Sequence, residues 1–183
     1  MKQIFIITAL LLIPLFKINA GNQKMNNFEL PIANDKSDQK LLSDIKTHGW
    51  HVVYIKAEKD SPAYCFTVGV YYSYDHPEIV IMGLPQETSM ALLHDLVNEI
   101  QKGKKFKDGT IDKNLASMSI GFKTVDKSHY DEYLGYGKWF YKSLKTEFPT
   151  VQYIWPDKEK KFPWKNGYNE SYFQLQKKLY EKR

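Results

Sequence analysis

Cysteine is nearly absent from this sequence: Cys65 is the only one among 183 residues. An intrachain disulfide is therefore excluded. Cys65 lies between aromatic residues in an apolar stretch, where a thiol is a small core side chain rather than an activated nucleophile. No cysteine directly follows the apolar N-terminal run, which disfavours a lipoprotein.

The sequence also lacks the motifs that are typical of common enzyme classes. It has no GxSxG elbow and no HExxH, and its five histidines form no pair with cysteine at zinc spacing. Its glycines are isolated, so no phosphate-binding loop is present. We therefore expect no metal ion and no cofactor.

Long basic stripes are missing too. The formal net charge is +5, but the lysines are scattered among acidic residues apart from two short clusters at residues 102–105 and 158–161. A nucleic-acid-binding surface needs a basic patch concentrated on one face. The sequence predicts no nucleic-acid partner.

One strongly apolar run is present, at the N-terminus. Lys2 precedes an apolar segment over residues 4–16, and Ala20 supplies the small residue that signal peptidases prefer. The run is shorter than the roughly 20 residues that span a bilayer. We predict a cleaved signal peptide over residues 1–20, export to the periplasm or secretion, and no membrane association after cleavage.

The remaining chain has the length of one domain. Residues 21–37 are polar and predict a flexible arm, and residues 38–183 predict a single compact α+β domain with a mainly antiparallel sheet and helices packed on one face. Ser37 or Asp38 is the expected cap of a first helix that ends at Gly49.

The stretch Phe66 to Leu84 predicts the two central strands, Phe66–Val70 and Pro77–Leu84, because both are rich in β-branched and apolar residues. Gly69 inside the first strand indicates a bulge or a close approach by another backbone. Further strands are expected at residues 50–56, 117–125 and 151–155, and helices at residues 85–102, 128–144 and from residue 169 onward.

Two clusters carry candidate chemistry. His76 and Glu78 lie at the entrance of a central strand, and Asp157 follows another strand, so an imidazole and carboxylates are available for general acid–base catalysis. Trp155, Trp164 and Tyr168 lie on proline-containing loops and could form an apolar wall for a ligand. The plainer interpretation is that these residues hold turns and cover one end of the core.

Five ordered segments, GWHVVYI, PAYCFTVGV, HPEIVIMGL, YIWPD and FPWKNGY, resemble the marker blocks of the bacterial domain of unknown function 4262 family. The resemblance covers residues 41–168 and implies a compact α+β domain without an established activity. Its marker residues include Thr67, Gly69, His76, Glu78 and Asp157. We therefore add Thr67 and Gly69 to the candidate ligand-binding residues.

Three functions stay open at this level. The first is a binding or interaction module, immunity-like in that it recognises or neutralises another protein; its partner is a protein or a small molecule. The second is a small hydrolase that uses His76 with Glu78 or Asp157, so the sequence does not decide whether the protein is an enzyme. The third is a cofactor-binding domain resembling a split barrel, suggested only by the FTVG strand and the apolar strand after it.

Overall fold

The computed structural model describes residues 30–183. The predicted signal peptide and residues 21–29 of the predicted arm lie outside this range. The first helix, α1 (Lys36–His48), begins after Asp35, whose carboxylate accepts a hydrogen bond from the backbone N–H of Asp38 at 2.8 Å. The cap is therefore Asp35 rather than Ser37 or Asp38. As expected, α1 ends at Gly49, which has a left-handed φ of 86°. No helix among residues 30–183 is long and apolar enough to cross a bilayer.

Six strands form one sheet in the order β1-β2-β3-β6-β5-β4. Their bounds are β1 (His51–Ile55), β2 (Tyr64–Val68), β3 (Glu78–Met82), β4 (Ile111–Asp112), β5 (Ile120–Thr124) and β6 (Thr150–Ile154). Every neighbouring pair is antiparallel except β3 and β6, which run parallel with Glu78 opposite Thr150. The predicted α+β class and mainly antiparallel sheet are confirmed.

β2 and β3 are neighbouring strands, but the centre of the sheet is the pair β3 and β6, so only the second of the two predicted central strands is central. β2 also ends earlier than predicted. The chain turns at Gly69 into a short helix, α2 (Val70–Tyr74). Gly69 has a φ of 101°, and a Cβ there would lie 2.9 Å from the carbonyl oxygen of Gly49. The expected close backbone approach is therefore present, at a left-handed turn that favours glycine.

The predicted helix over residues 85–102 is α3 (Gln86–Gln101). The helix predicted over residues 128–144 is divided. A 3₁₀ turn at Lys127–His129 leads into α4 (Tyr130–Tyr133), and α5 (Gly135–Ser143) follows after Leu134, whose φ of −123° interrupts the helical backbone.

Helices cover both faces of the sheet, which corrects the expectation of one covered face. Successive side chains of a strand point to opposite faces, and in β2 and β3 every residue is buried. Two core clusters result. One lies against α3 and includes Cys65, Ile79, Ile81, Leu93, Leu96 and Phe122. The other lies against α1, α4 and α5 and includes Leu41, Ile45, Phe66, Val80, Met82, Tyr130, Phe140 and Tyr141.

The C-terminal segment forms only a 3₁₀ turn at Glu170–Gln174 instead of the predicted helix. Leu175 is 45% exposed, whereas Leu179 is buried. Leu179 is held by its backbone N–H, which donates to the buried side-chain oxygen of Gln152 at 2.9 Å. Side-chain hydrogen bonds to β6 therefore fix this segment in place of a helical ladder.

Candidate functional site

Glu78, at the start of β3, is fully buried. Its carboxyl group accepts hydrogen bonds from the Thr67 hydroxyl at 2.5 Å, the Gly69 N–H at 2.9 Å and the Tyr71 N–H at 3.0 Å. The phenol of Tyr141, on α5, donates a fourth. These donors come from β2, the turn into α2, and α5. The carboxyl of Glu78 thus joins β2 and β3 to α2 and α5.

Burial raises the pKa of Glu78, and the four hydrogen bonds oppose that rise by stabilising the charged form. The pKa of Tyr141 lies well above its usual range, because burial and the neighbouring carboxyl both disfavour a phenolate. The Tyr141 oxygen also accepts from the Tyr72 N–H at 3.1 Å, and the Thr67 oxygen accepts from the Ile79 N–H at 2.9 Å. The polar groups of this network find their hydrogen-bond partners within it, as expected of a network that stabilises the fold. We call these hydrogen bonds around Glu78 the buried brace.

His76 uses both ring nitrogens inside the fold. Its Nε2 accepts a hydrogen bond from the backbone N–H of Phe106 at 2.8 Å, so Nδ1 carries the proton and donates to the carbonyl oxygen of Pro77 at 2.7 Å. Burial lowers the pKa of His76 to about 4. A neutral imidazole with both nitrogens occupied has no free position for proton transfer to a substrate.

Asp157 closes the loop after β6. One carboxylate oxygen accepts from the Lys161 N–H at 2.8 Å, and the other accepts from the Asn169 N–H at 2.9 Å. The side chain is buried at 4% exposure. Asp157 therefore orders residues 157–169 through backbone contacts.

The candidate aromatic residues divide into buried and accessible ones. The indole of Trp155 is buried and donates to the carbonyl oxygen of Met82 at 2.9 Å. Tyr168 is also buried, with its ring 5.2 Å from that of Phe173. Trp164 is 36% exposed and stacks on Phe162 with ring centroids 4.8 Å apart. Of the three predicted aromatic residues, Trp164 is accessible to a ligand.

The structure brings Thr67, Gly69 and Glu78 together but keeps His76 and Asp157 apart. Because β3 and β6 are parallel, His76 before β3 and Asp157 after β6 lie at opposite ends of the sheet. β3 is five residues long, and at about 3.3 Å per residue the strand places the chain before β3 and the chain after β6 roughly 16 Å apart. The hypothesis of one site shared by His76, Asp157 and Trp164 is therefore wrong.

A different feature offers an accessible site. Side chains from the 3₁₀ turn, α4, α5 and the loop before β6 surround a cleft of about 470 Å³, which we call the lysine cleft. It is lined by Lys127, Tyr130, Asp131, Lys138, Tyr141, Lys142, Lys145, Thr146, Glu147 and Phe148. Four of these ten residues are lysines, and two are acidic.

The lysines of the cleft fall into two kinds. Within residues 30–183, Lys138 pairs with Asp131, and Lys127 pairs with Glu147 at 2.9 Å. The other two lysines, at positions 142 and 145, take part in neither ion pair. Their ammonium groups are exposed donors available to an anion.

The floor of the cleft is aromatic and is mounted on the Glu78 network. The ring of Tyr141 stacks on that of Phe148 with centroids 4.5 Å apart, and Tyr130 contacts Phe148 at 5.0 Å. All three rings are at most 5% exposed. Because the hydroxyl of Tyr141 also donates to Glu78, the buried brace holds the floor on which the lysines are displayed.

Lys145 has an unusual backbone for its residue type. It follows the last turn of α5 with a φ of 51°, in the left-handed region. Its N–H bonds to the carbonyl of Lys142 at 3.0 Å, and the next N–H, of Thr146, bonds to the carbonyl of Tyr141 at 3.2 Å. Glycine is the usual residue at this position after a helix. A lysine in this backbone conformation is less stable than a glycine would be, and this suggests that its side chain has a role in ligand binding.

Within residues 30–183, no group of three or more His, Cys, Asp or Glu side chains is arranged to hold a metal ion.

Comparison with protein families gives one match, to the model described as Domain of unknown function (DUF4262), over residues 44–169. The chain belongs to this family. A search of curated proteins and a search of solved structures found no match. The family assignment agrees with the resemblance of the five sequence segments and carries no activity with it.

The marker residues of the family resemblance have structural roles in this member. Thr67, Gly69 and Glu78 form the buried brace, His76 anchors the backbone at Phe106, and Asp157 closes its loop. Polar side chains at the ends of strands can equally be catalytic or structural when only the sequence is known. Their hydrogen-bond partners, which are mostly backbone groups, distinguish the two roles.

Sequence reasoning missed the lysine cleft. The signal was present, because Lys138, Lys142 and Lys145 follow one another at i, i+4 and i+7, which places them on one side of a helix. The contribution of Lys127 depends on how the 3₁₀ turn at Lys127–His129 packs beside α5 and the loop before β6, which no local pattern reveals.

Proposed function

We propose that this domain is a binding module and that the lysine cleft is its site for an anionic ligand. The observation that carries the proposal is the convergence of four lysines on one concave surface of about 470 Å³. Binding pockets for small molecules commonly measure roughly 300–1,000 Å³. Ammonium groups form strong, charge-assisted hydrogen bonds with carboxylates and phosphates.

The state of the candidate catalytic residues also supports binding over hydrolysis. His76 and Asp157 are engaged by backbone groups, and Glu78 is enclosed by four donors. Neither a nucleophile–base pair nor a poised histidine lines the lysine cleft. The proposal therefore favours the first function open at the sequence level, an interaction module, over the small hydrolase.

The test is a titration with tripolyphosphate, followed through the backbone amide resonances of residues 142–148 by nuclear magnetic resonance. We expect saturable shifts in these amides that weaken as salt is added, because exposed charges are screened. Lys142→Gln should weaken binding by about fivefold to tenfold, through the loss of one charge-assisted hydrogen bond.

Lys102→Gln is the matched control. Lys102 is exposed at the end of α3 and pairs with Glu99, away from the cleft. Its substitution removes the same charge and should leave the affinity unchanged. The proposal is overturned if tripolyphosphate shifts no amide of residues 142–148, or if both substitutions weaken binding equally.

A further inference from the structure

A second cleft adjoins the lysine cleft. It measures about 500 Å³ and is lined by Asp108, Lys123, Thr124, Val125, Asp126, Lys127, Tyr130, Pro149 and Tyr180. Lys127 and Tyr130 line both clefts. We propose that the two clefts form one groove that binds an extended acidic segment of a partner protein. This inference rests on the proposed function, because it extends the same site.

The Lys127 side chain lies where the two clefts meet and is held in place by its neighbours. The ammonium of Lys127 lies 2.9 Å from a carboxylate oxygen of Glu147, 2.9 Å from the carbonyl oxygen of Phe148 and 4.4 Å from the centroid of the Tyr130 ring. Three contacts hold this side chain between the two clefts. A ligand that passes from one cleft to the other must therefore cross the ion pair of Lys127 and Glu147.

Beside the second cleft, its lining residues Lys123 and Tyr180 contact a partly exposed aromatic ring that is not itself part of the lining. The ammonium of Lys123 lies 5.5 Å from the centroid of the Trp164 ring, and Tyr180 contacts the same indole at 6.5 Å. A Cβ on Gly121 would lie 2.8 Å from Trp164, so the indole rests directly on the backbone of β5. A rigid, partly exposed tryptophan is a common anchor in protein interfaces.

The distribution of positive charge fits an extended chain. Lys142 and Lys145 line the first cleft only, Lys127 lines both, and Lys123 lines the second only, where its ammonium lies 3.7 Å from the Asp108 carboxylate. A compact anion can meet the lysines of one cleft only. An extended peptide repeats its side chains on the same side every 6.6 Å or so, and acidic side chains at such intervals can meet successive lysines along both clefts.

The acidic residues of the groove favour a peptide over a nucleic acid. Asp108 and Asp126 line the second cleft, and Asp131 and Glu147 line the first. A continuous phosphate backbone would bring negative charge close to all four carboxylates. A peptide can place backbone N–H groups or neutral side chains beside them and its own carboxylates beside the lysines.

Fluorescence anisotropy with labelled peptides tests the groove. The probes are a ten-residue peptide of alternating glutamate and serine, a four-residue peptide of the same pattern, and a ten-nucleotide single-stranded DNA. We expect the long peptide to bind at least about tenfold more tightly than the short one, because it occupies both clefts at once. Lys123→Gln should lower the affinity for the long peptide by about fivefold, which is the range of an exposed ion pair.

The outcomes separate this inference from the proposed function. Lys123→Gln should leave the tripolyphosphate titration of residues 142–148 unchanged, and Lys102→Gln should change neither measurement. If the long peptide binds no better than the short one, or if Lys123→Gln has no effect, the extended groove is refuted while tripolyphosphate binding still supports the lysine cleft. Tighter binding of the DNA than of the long peptide would refute a protein partner. Loss of the tripolyphosphate shifts themselves refutes the proposed function.

Discussion

The phenol of Tyr141 donates a hydrogen bond to the buried carboxyl of Glu78, although the two residues are 63 positions apart in the chain. The same ring forms part of the floor of the lysine cleft. This contact connects the interior of the sheet to the surface on which we place ligand binding. The stability of the brace and the shape of the cleft are therefore expected to change together.

Tyr141→Phe tests this connection. The substitution keeps the ring but removes one of four donors to Glu78, and a buried acceptor that loses a partner destabilises a protein by about 1–3 kcal/mol. Urea unfolding should show a loss in this range, together with weaker tripolyphosphate binding. Tyr71→Phe is the control, because Tyr71 contributes its backbone N–H to Glu78 and not its phenol. An equal loss of stability in both variants would contradict the role of the Tyr141 hydroxyl.

The histidine that anchors Phe106 makes stability depend on pH. The pKa of His76 is about 4 in the folded protein, below its ordinary value of 6.5. Above pH 6.5 the residue is neutral in both states. As the pH falls from 6.5 towards 4, the unfolded chain takes up the proton first, so the free energy of unfolding should decrease by roughly 3 kcal/mol in total.

Chemical denaturation between pH 7.5 and pH 4 measures this loss. His76→Gln cannot take up a proton, so its free energy of unfolding should fall less steeply than that of the wild type over this range. His48→Gln, which removes an exposed histidine on α1, is measured in parallel as the control. A wild-type slope in His76→Gln would show that other groups cause the acid sensitivity.

Much of the fold could be predicted because local patterns and tertiary contacts agree there. The apolar stripe of α3 and the β-branched runs of β2 and β3 form the core, and Ile79 and Ile81 are fully buried as expected. The break at Leu134 was not predictable, because residues 128–144 carry apolar residues at helical spacing on either side of it. The break at Leu134 depends instead on how α4 and α5 pack separately on the sheet.

The candidate site was less predictable for a topological reason. Whether His76 and Asp157 meet depends on the relative direction of β3 and β6. These strands are separated by the 67 residues between Met82 and Thr150, which include α3, β4, β5, α4 and α5. No local pattern specifies that this pair is parallel.

Gly135 and Gly137 lie in the same helix but in different surroundings. A Cβ on Gly137 would lie 2.9 Å from the Phe148 ring, whereas a Cβ on Gly135 would have no neighbour within 4 Å. Gly137→Ala should destabilise the protein by roughly 1–3 kcal/mol, because the displaced ring belongs to a close-packed floor. Gly135→Ala should be neutral or stabilising by up to about 1 kcal/mol. Thermal and urea unfolding of the two variants check this contrast, and equal effects would contradict it.

Substitution of Lys145 is expected to change the free energy of unfolding and the affinity for tripolyphosphate in opposite directions. Its φ of 51° lies in the left-handed region, where a residue with a side chain is less stable than glycine by about 1 kcal/mol. Lys145→Gly should therefore raise the free energy of unfolding by about that amount. The same change removes an ammonium group from the lysine cleft and should weaken tripolyphosphate binding by about tenfold, the loss of one charge-assisted hydrogen bond.

Lys160→Gly is the matched control for this trade-off. Lys160 also has a left-handed φ, of 61°, but it lies in the loop closed by Asp157 and does not line the lysine cleft. Its replacement by glycine should stabilise the protein to a similar extent and leave binding unchanged. A Lys145→Gly protein that is more stable and binds tripolyphosphate as tightly as the wild type would show that this lysine is dispensable for the ligand. A Lys145→Gly protein that is less stable than the wild type would show that the Lys145 side chain stabilises the end of α5. The left-handed lysine would then be explained by the fold and not by a ligand.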